Sequence, residues 1–278
     1  MYKIFRVLYY QAAEAGSTFV KAEITFTMFF RTQKVNSMTG KEQLLNEILS
    51  FHGVEKWKQF KTIKAHVKMG GITWSIKGHE GATADVHFTG NYHAQEARWQ
   101  GLFGQLSSAF SPDRVALLDE KRQVIEELLH PLESFAGHTV ETPWTRPQLV
   151  YFSSYATWNY LTAPFNFLLP DITINEIDPW QQDGEVWRRL EVIYPDHFAT
   201  HSKRQLYYFS QDGELRRHDY WPRVLGNSPA TQIIEDYKDF SGIKMGTKRR
   251  IYILDEKDNS YLPDPLLVSI DVIDVQFQ

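Results

Sequence analysis

The chain reads as an α+β protein: a strongly curved antiparallel meander sheet, an unclosed half-barrel, enclosing an aromatic-rich helix. Three observations lead there. A segment near the middle carries helix signals at both ends but has no polar side; short runs of alternating apolar and polar residues, punctuated by glycine, recur on either side of it; and two of those runs turn through Asp-Gly. A helix without a polar side must be enclosed by protein, and a succession of short hairpins is the kind of sheet that can enclose it.

Taken in order, residues 1 to 37 join poorly to the rest of the chain and hold one strand-like run, "EITFTMFFRTQKV". They are read as an N-terminal extension, and 38 to 278 as a single half-barrel domain. Thr39 is placed to cap a helix whose Leu44, Leu45, Ile48 and Leu49 form one stripe, and Gly53 ends it. From Phe60 the period falls to two: "TIKAHVKM", "ITWSIKG", "TADVHFTG" and "RWQGLF" read as short antiparallel strands broken at Gly70, Gly71, Gly78 and Gly90. "SPDRVALLDEKRQVIEEL" adds a strand, a charged turn at Glu120 to Arg122, and another strand.

The central helix lies in "TPWTRPQLVYFSSYATWNYLTAPF". Thr145 and Gln148 are spaced as a capping box, Pro147 falls in the first turn where a missing N–H costs nothing, and Pro164 ends the helix. Leu149, Phe152, Ala156 and Tyr160 line one face while Val150, Tyr155, Trp158 and Leu161 occupy others. Two hairpins come next, turning at Asp183-Gly184 and Asp212-Gly213, where glycine takes the positive φ such turns need. Two more hairpin-like segments, "TKRRIYILDEKDNSYLPDP" and "LLVSIDVIDVQF", complete roughly ten strands in meander order with two main helices.

Composition narrows the function. With 278 residues, 42% of them hydrophobic, a packed core is expected. A net charge of -4 argues against nucleic acid as a partner, and the basic run "KMGTKRR" at 244 to 250 reads as a solvated turn beside Asp255, Glu256 and Asp258. The absence of cysteine removes disulfides, thiolate metal sites and a Cys nucleophile together. No run is long and apolar enough for a membrane span, and Val7 to Tyr10 is too short for a signal sequence, which points to the cytoplasm, with the periplasm as the alternative.

"LLNEILSFHGVEKWKQFKTIKAHVKM", followed by glycine-rich short strands, resembles the start of proteins with the outer-membrane lipoprotein carrier (LolA-like) fold. "TPWTRPQLVYFSSYATWNYLTAPF", "DGEVWRRLEVIYP", "THSKRQLYYFSQDGELRRHDY" and "LLVSIDVIDVQF" look like a bacterial family of uncharacterised proteins, a similarity that covers residues 40 to 278. The resemblance implies an unclosed half-barrel, helices over its concave face and a cavity for a hydrophobic ligand. It carries no lipid-handling residue onto a numbered position here.

The densest chemistry is "RRHDY", residues 216 to 220. Strand alternation puts Leu215, Arg217 and Asp219 on one face and Glu214, Arg216, His218 and Tyr220 on the other. The plainer reading is charge pairing on a sheet with one wet side, Glu214, Arg216 and His218 forming an outer row. The functional reading sets His218, with His201 or His197, at the mouth of the half-barrel. His197 and His201 are spaced to share a helix face, but extended backbone there would hold them roughly 13 Å apart, too far for one metal ion. His79, Glu80, Asp85 and His87 match no zinc signature, and Ser153 and Ser154 lack a nucleophile elbow.

The expected function is therefore binding of an apolar small molecule or lipid on the concave face, without cofactor or metal. The candidate ligand-binding residues are Trp144, Tyr151, Tyr155, Trp158 and Tyr160, with His201, Arg217, His218 and Asp219. An enzyme using His218, Asp219, Arg217 and His201 on such a ligand, and a structural or assembly role through aromatic surface, are the alternatives.

Overall fold

The computed structural model describes residues 40–182 and 184–278. The strand expected over 23 to 35, the cap at Thr39 and the extension over 1 to 37 lie outside the described residues.

Fourteen strands among these residues form one antiparallel sheet. The first half is a meander of β1 (Thr62–Gly70), β2 (Val86–Asn91), β3 (Ala97–Leu102), β4 (Leu106–Ser111), β5 (Arg114–Leu118) and β6 (Val124–Leu129). The second half runs β7 (Thr173–Gln182), β8 (Glu185–Ile193), β9 (Arg204–Phe209), β10 (Leu215–Tyr220), β11 (Ala230–Phe240) and β12 (Ile243–Asp255), with β13 (Ser260–Leu262) folded back on β12. The last strand, β14 (Val268–Phe277), inserts between β1 and β12 and so welds the two meanders into one sheet. Strands β6 and β7 are the two edges and do not pair with each other, which leaves the half-barrel unclosed.

The helices are α1 (Gly40–His52), α2 (Val54–Trp57), α3 (Ile72–Ile76) and α4 (Arg146–Thr162). Helix α4 connects the two meanders, and every residue from Pro147 to Thr162 is buried. Its start agrees with the sequence: Thr145 Oγ1 accepts from the Gln148 backbone N–H at 3.3 Å, and Gln148 Oε1 accepts from the Thr145 N–H at 2.9 Å. The Gln148 amide also donates to the Ser134 carbonyl at 3.0 Å, tying the cap to the preceding turn. Lys77, just beyond α3, holds the lead-in, its Nζ donating to the carbonyls of Thr139, Val140 and Thr142.

Leu149, Val150 and Trp158 of α4 have no exposed area, and each large apolar side chain so enclosed stabilises the fold by about 1.5–3 kcal/mol. Two indole N–H groups tie the helix to the sheet. Trp99 Nε1 on β3 donates to Ser154 Oγ at 3.0 Å, and Trp158 Nε1 donates to the Asn91 carbonyl at 2.6 Å. No helix among the described residues is long and apolar enough to cross a membrane.

Three local readings are corrected. "ITWSIKG" is not a strand: α3 forms there because Gly71 turns the chain at φ +105°, where a Cβ would come within 2.5 Å of the Leu267 carbonyl oxygen. The basic run 244 to 250 is not a solvated turn but part of β12, with Thr247 and Arg249 buried. Strand β4 lies in a stretch not assigned to any strand from the sequence, where Ser107 and Ser108 hide the alternation.

The capping box gives a test. Thr145→Ala is expected to lower stability by about 1 kcal/mol in urea unfolding, and an unchanged midpoint would mean that the turn around Ser134 holds α4 without the cap.

Candidate functional site

A bulge in β10 decides which of its side chains enter the chamber. Opposite β9, Leu215 pairs with Phe209 and Arg217 with Tyr208, so Arg216 is an extra residue and the alternation resets there. Leu215 therefore joins the main core together with Tyr220, while Arg217 and Asp219 face the opposite, outer side beside Tyr208, Leu206 and Trp187. This corrects both faces drawn from simple alternation. Leu215 does not share a face with Arg217, and His218 is 2% exposed inside the chamber rather than in an outer charged row.

On the outer side Arg217 and Asp219, both without exposed area, form a two-pronged ion pair at 2.8 and 3.0 Å. Tyr208 donates to Asp219 at 2.6 Å, Thr231 donates to it at 2.5 Å, and Arg217 Nη2 donates to the carbonyl and side chain of Asn259 at 3.0 and 2.9 Å. The guanidinium also lies 4.8 Å from the centre of the Tyr208 ring. These contacts make a structural cluster, separated by the sheet from the chamber.

Inside, α4 faces the second meander through a polar seam in an otherwise apolar layer. The 194–203 connection bends instead of running extended, leaving His197 exposed and His201 1% exposed. His201 is held by two helix tyrosines, Tyr155 at Nδ1 (3.2 Å) and Tyr160 at Nε2 (2.7 Å), and stacks on Tyr220 with ring centres 4.0 Å apart. The Tyr160 and Tyr220 hydroxyls are 2.9 Å apart. His218 stacks on Tyr207 at 4.1 Å and its Nε2 meets Gln205 Oε1 at 2.7 Å. Arg249 completes the seam from β12.

Burial decides the charge state of these groups. It holds His201 down to about 3 and pushes Tyr160 and Tyr220 above the ordinary phenol range. His218 is held well below its ordinary value, first by burial and then by nearby His201 and Arg249. The chamber thus presents neutral imidazoles and neutral phenols. Neither histidine has a carboxylate partner among its hydrogen bonds, and Asp219, the acid expected beside them, lies across the sheet.

Between this seam and the sheet is a cavity of about 40 Å³, walled by Phe152, Ala156 and Tyr160 of α4, by Ile251, Val268 and Ile270 of the sheet, and by Tyr220, Pro222 and Leu225. Of the aromatic residues singled out from the sequence, Tyr160 lines it, and Tyr155 stands behind that wall, joined to Tyr160 by the hydrogen bonds both make to His201. Trp144 packs on Phe152 and Phe135, Tyr151 on Phe110 and Phe135, and Trp158 on Phe198, so these three serve the core. Tyr207, Gln205 and Arg249 were not singled out, and Tyr220, noted in the run 216 to 220, was not among the candidate ligand-binding residues. Period two along β12 carries Thr247, Arg249 and Ile251 to one buried face, a signal masked by the surrounding basic residues.

No protein-family model and no curated protein matches the sequence. Among solved structures, the chain is similar to a domain described as an outer membrane lipoprotein-sorting protein from Vibrio parahaemolyticus, with TM-score 0.51 and 11% identity over 85% of this chain and 91% of that one. It is also similar to a DUF1329 family protein from Desulfovibrio piger, with TM-score 0.50 and 9% identity over 87% and 94% of the two chains. What is shared at such identity is the fold, an unclosed antiparallel half-barrel that encloses a helix.

The outer cluster and the buried histidines can each be tested. Asp219→Ala strands Arg217 without its anion and is expected to cost about 3–5 kcal/mol in urea unfolding; a loss under about 1 kcal/mol would show that the outer cluster does not hold the sheet. Buried histidines make stability depend on pH. Each takes up a proton near 6.5 when unfolded, whereas folded His201 stays neutral to about 3 and His52, also desolvated, to about 4. Below pH 6.5 the unfolded chain binds more protons, so stability should fall between about pH 6.5 and 4, by about 1.4 kcal/mol per pH unit for each such histidine. Urea midpoints from pH 7.5 to 5 should show this, with a shallower slope for His201→Gln; equal slopes would remove His201 from the effect.

Proposed function

We propose that the protein binds an apolar, lipid-like small molecule between α4 and the concave face of the sheet. The observation that carries this reading is the cavity at Phe152, Ala156, Ile251, Val268 and Ile270, where the helix and the sheet leave apolar side chains without full contact. A void lined this way stays dry, and its walls forgo dispersion contacts that an apolar guest restores.

Magnitudes favour a long chain over a compact guest. Micromolar binding requires about 8 kcal/mol net, on top of an association cost of at least about 4 kcal/mol. At about 0.8 kcal/mol per buried methylene, that calls for on the order of fifteen methylenes. The cavity has room for about three waters, so such a ligand widens it on entry. The wall that yields in this reading is the 221–229 connection, which contributes Pro222 and Leu225 and carries no strand pairing. The description of the Vibrio domain as a lipoprotein-sorting protein supports the same ligand class, and it supports an envelope setting over the cytoplasmic one expected from the N-terminal sequence.

Mass spectrometry of organic extracts, with a mock purification alongside, is expected to show one apolar compound in stoichiometric amount. Ala156→Leu, which fills the cavity from the helix side, should lower that occupancy at least tenfold while the protein remains folded. A blank extract from folded protein, together with no binding of added sixteen-carbon probes, would end this reading.

A further inference from the structure

Arg249 is 3% exposed and has no anion. Its Nη1 donates to Gln232 Oε1 at 2.8 Å, its Nη2 donates to the Tyr160 carbonyl at 2.9 Å, and the guanidinium lies 5.5 Å from the centre of the Tyr160 ring. All of these partners are neutral. Its Nε has no hydrogen-bond partner. Among the described residues, no carboxylate pairs with it; the titratable groups around it include the phenols of Tyr237, Tyr160, Tyr220 and Tyr207, which burial keeps neutral.

Arg217 shows how the same sheet accommodates a buried guanidinium that is only structural. It receives a two-pronged carboxylate at 2.8 and 3.0 Å, held in turn by Tyr208 and Thr231. Arg249 has only the neutral half of such an arrangement, and a buried cation left without an anion is costly. An anion from outside the chain removes that cost. The position suits one that arrives on an apolar chain: Tyr160, whose carbonyl Arg249 holds, lines the cavity, and so does Ile251, the next inward residue on β12.

We propose that the ligand of the chamber is an anionic amphiphile, a long-chain carboxylate whose head is taken by Arg249 while its chain fills the widened cavity. This rests on the apolar-binding reading above and adds the head group to it. A planar guanidinium edge with a free N–H matches the two oxygens of a carboxylate. One cation balances one negative charge, which disfavours a phosphate monoester carrying nearly two.

The test compares heads on one chain length, using the full, delipidated protein and fluorescence titration with hexadecanoate, hexadecanol, hexadecyl phosphate and hexadecyltrimethylammonium. The expected result is hexadecanoate at least tenfold tighter than hexadecanol, the cation weakest, and the phosphate weaker than the carboxylate. Arg249→Met should bring hexadecanoate to the level of hexadecanol, and Arg249→Lys should keep a preference for the acid. Equal binding of acid and alcohol by the unaltered protein would overturn the head-group site and leave apolar binding standing; binding of neither would overturn both. A preference for the acid that survives Arg249→Met would overturn the assignment to Arg249, and tighter binding of hexadecyl phosphate would replace carboxylate by phosphate. The comparison among probes needs no variant, so it decides even where Arg249→Met does not fold.

Discussion

Enclosure of α4 is the constraint on which the rest of the molecule depends, because a helix buried from Pro147 to Thr162 has to find a protein partner in every direction around its axis. One flat sheet covers one side of a helix. A sheet of two meanders, joined by β14 between β1 and β12, is wide enough to curve round it. The open edges at β6 and β7 arise from the same connection, since the chain leaves one edge, passes through the helix and enters at the other.

Enclosing such a helix brings a second requirement, that its polar atoms be met inside. On the first meander this is done with single bonds, Trp99 to Ser154 and Trp158 to the Asn91 carbonyl. On the second it is done with a connected seam of Tyr155, His201, Tyr160 and Tyr220. Such networks are most stable when every member is neutral and paired, and burial keeps the imidazoles neutral. Arg249 is the exception within the seam, an inward cation that holds the carbonyl of Tyr160, a residue of the cavity wall.

The two buried arginines show why burial alone does not locate a ligand site. Arg217 is less exposed than Arg249, yet its anion is Asp219, two residues along the same strand. Asp219 and His218 are neighbours in sequence and face opposite sides of the sheet, so the four residues that looked like one acid–base set are divided between a structural cluster and the chamber wall.

Much of the fold was legible in the sequence because its signals are local. The capping box at Thr145 and Gln148 and the absence of a polar side on α4 each depend on residues within one helix, and the hairpin turns at Gly184 and Gly213, with φ of +84° and +94°, depend on a few adjacent residues. The side to which each strand turns its residues was not legible. The bulge at Arg216 reversed Leu215 relative to Arg217 and placed His218 inward, and a bulge depends on how two strands register, not on the composition of either. The site was less legible still. Arg249 meets the Tyr160 carbonyl across 89 residues of sequence and Tyr160 meets His201 across 41, so no window along the chain contains the group. By itself the sequence determined that a curved antiparallel sheet encloses an aromatic helix, because periodicity, caps and turns act over a few residues. Only the tertiary structure decided which side chains share the chamber, because a strand's inner face is defined by what packs against it.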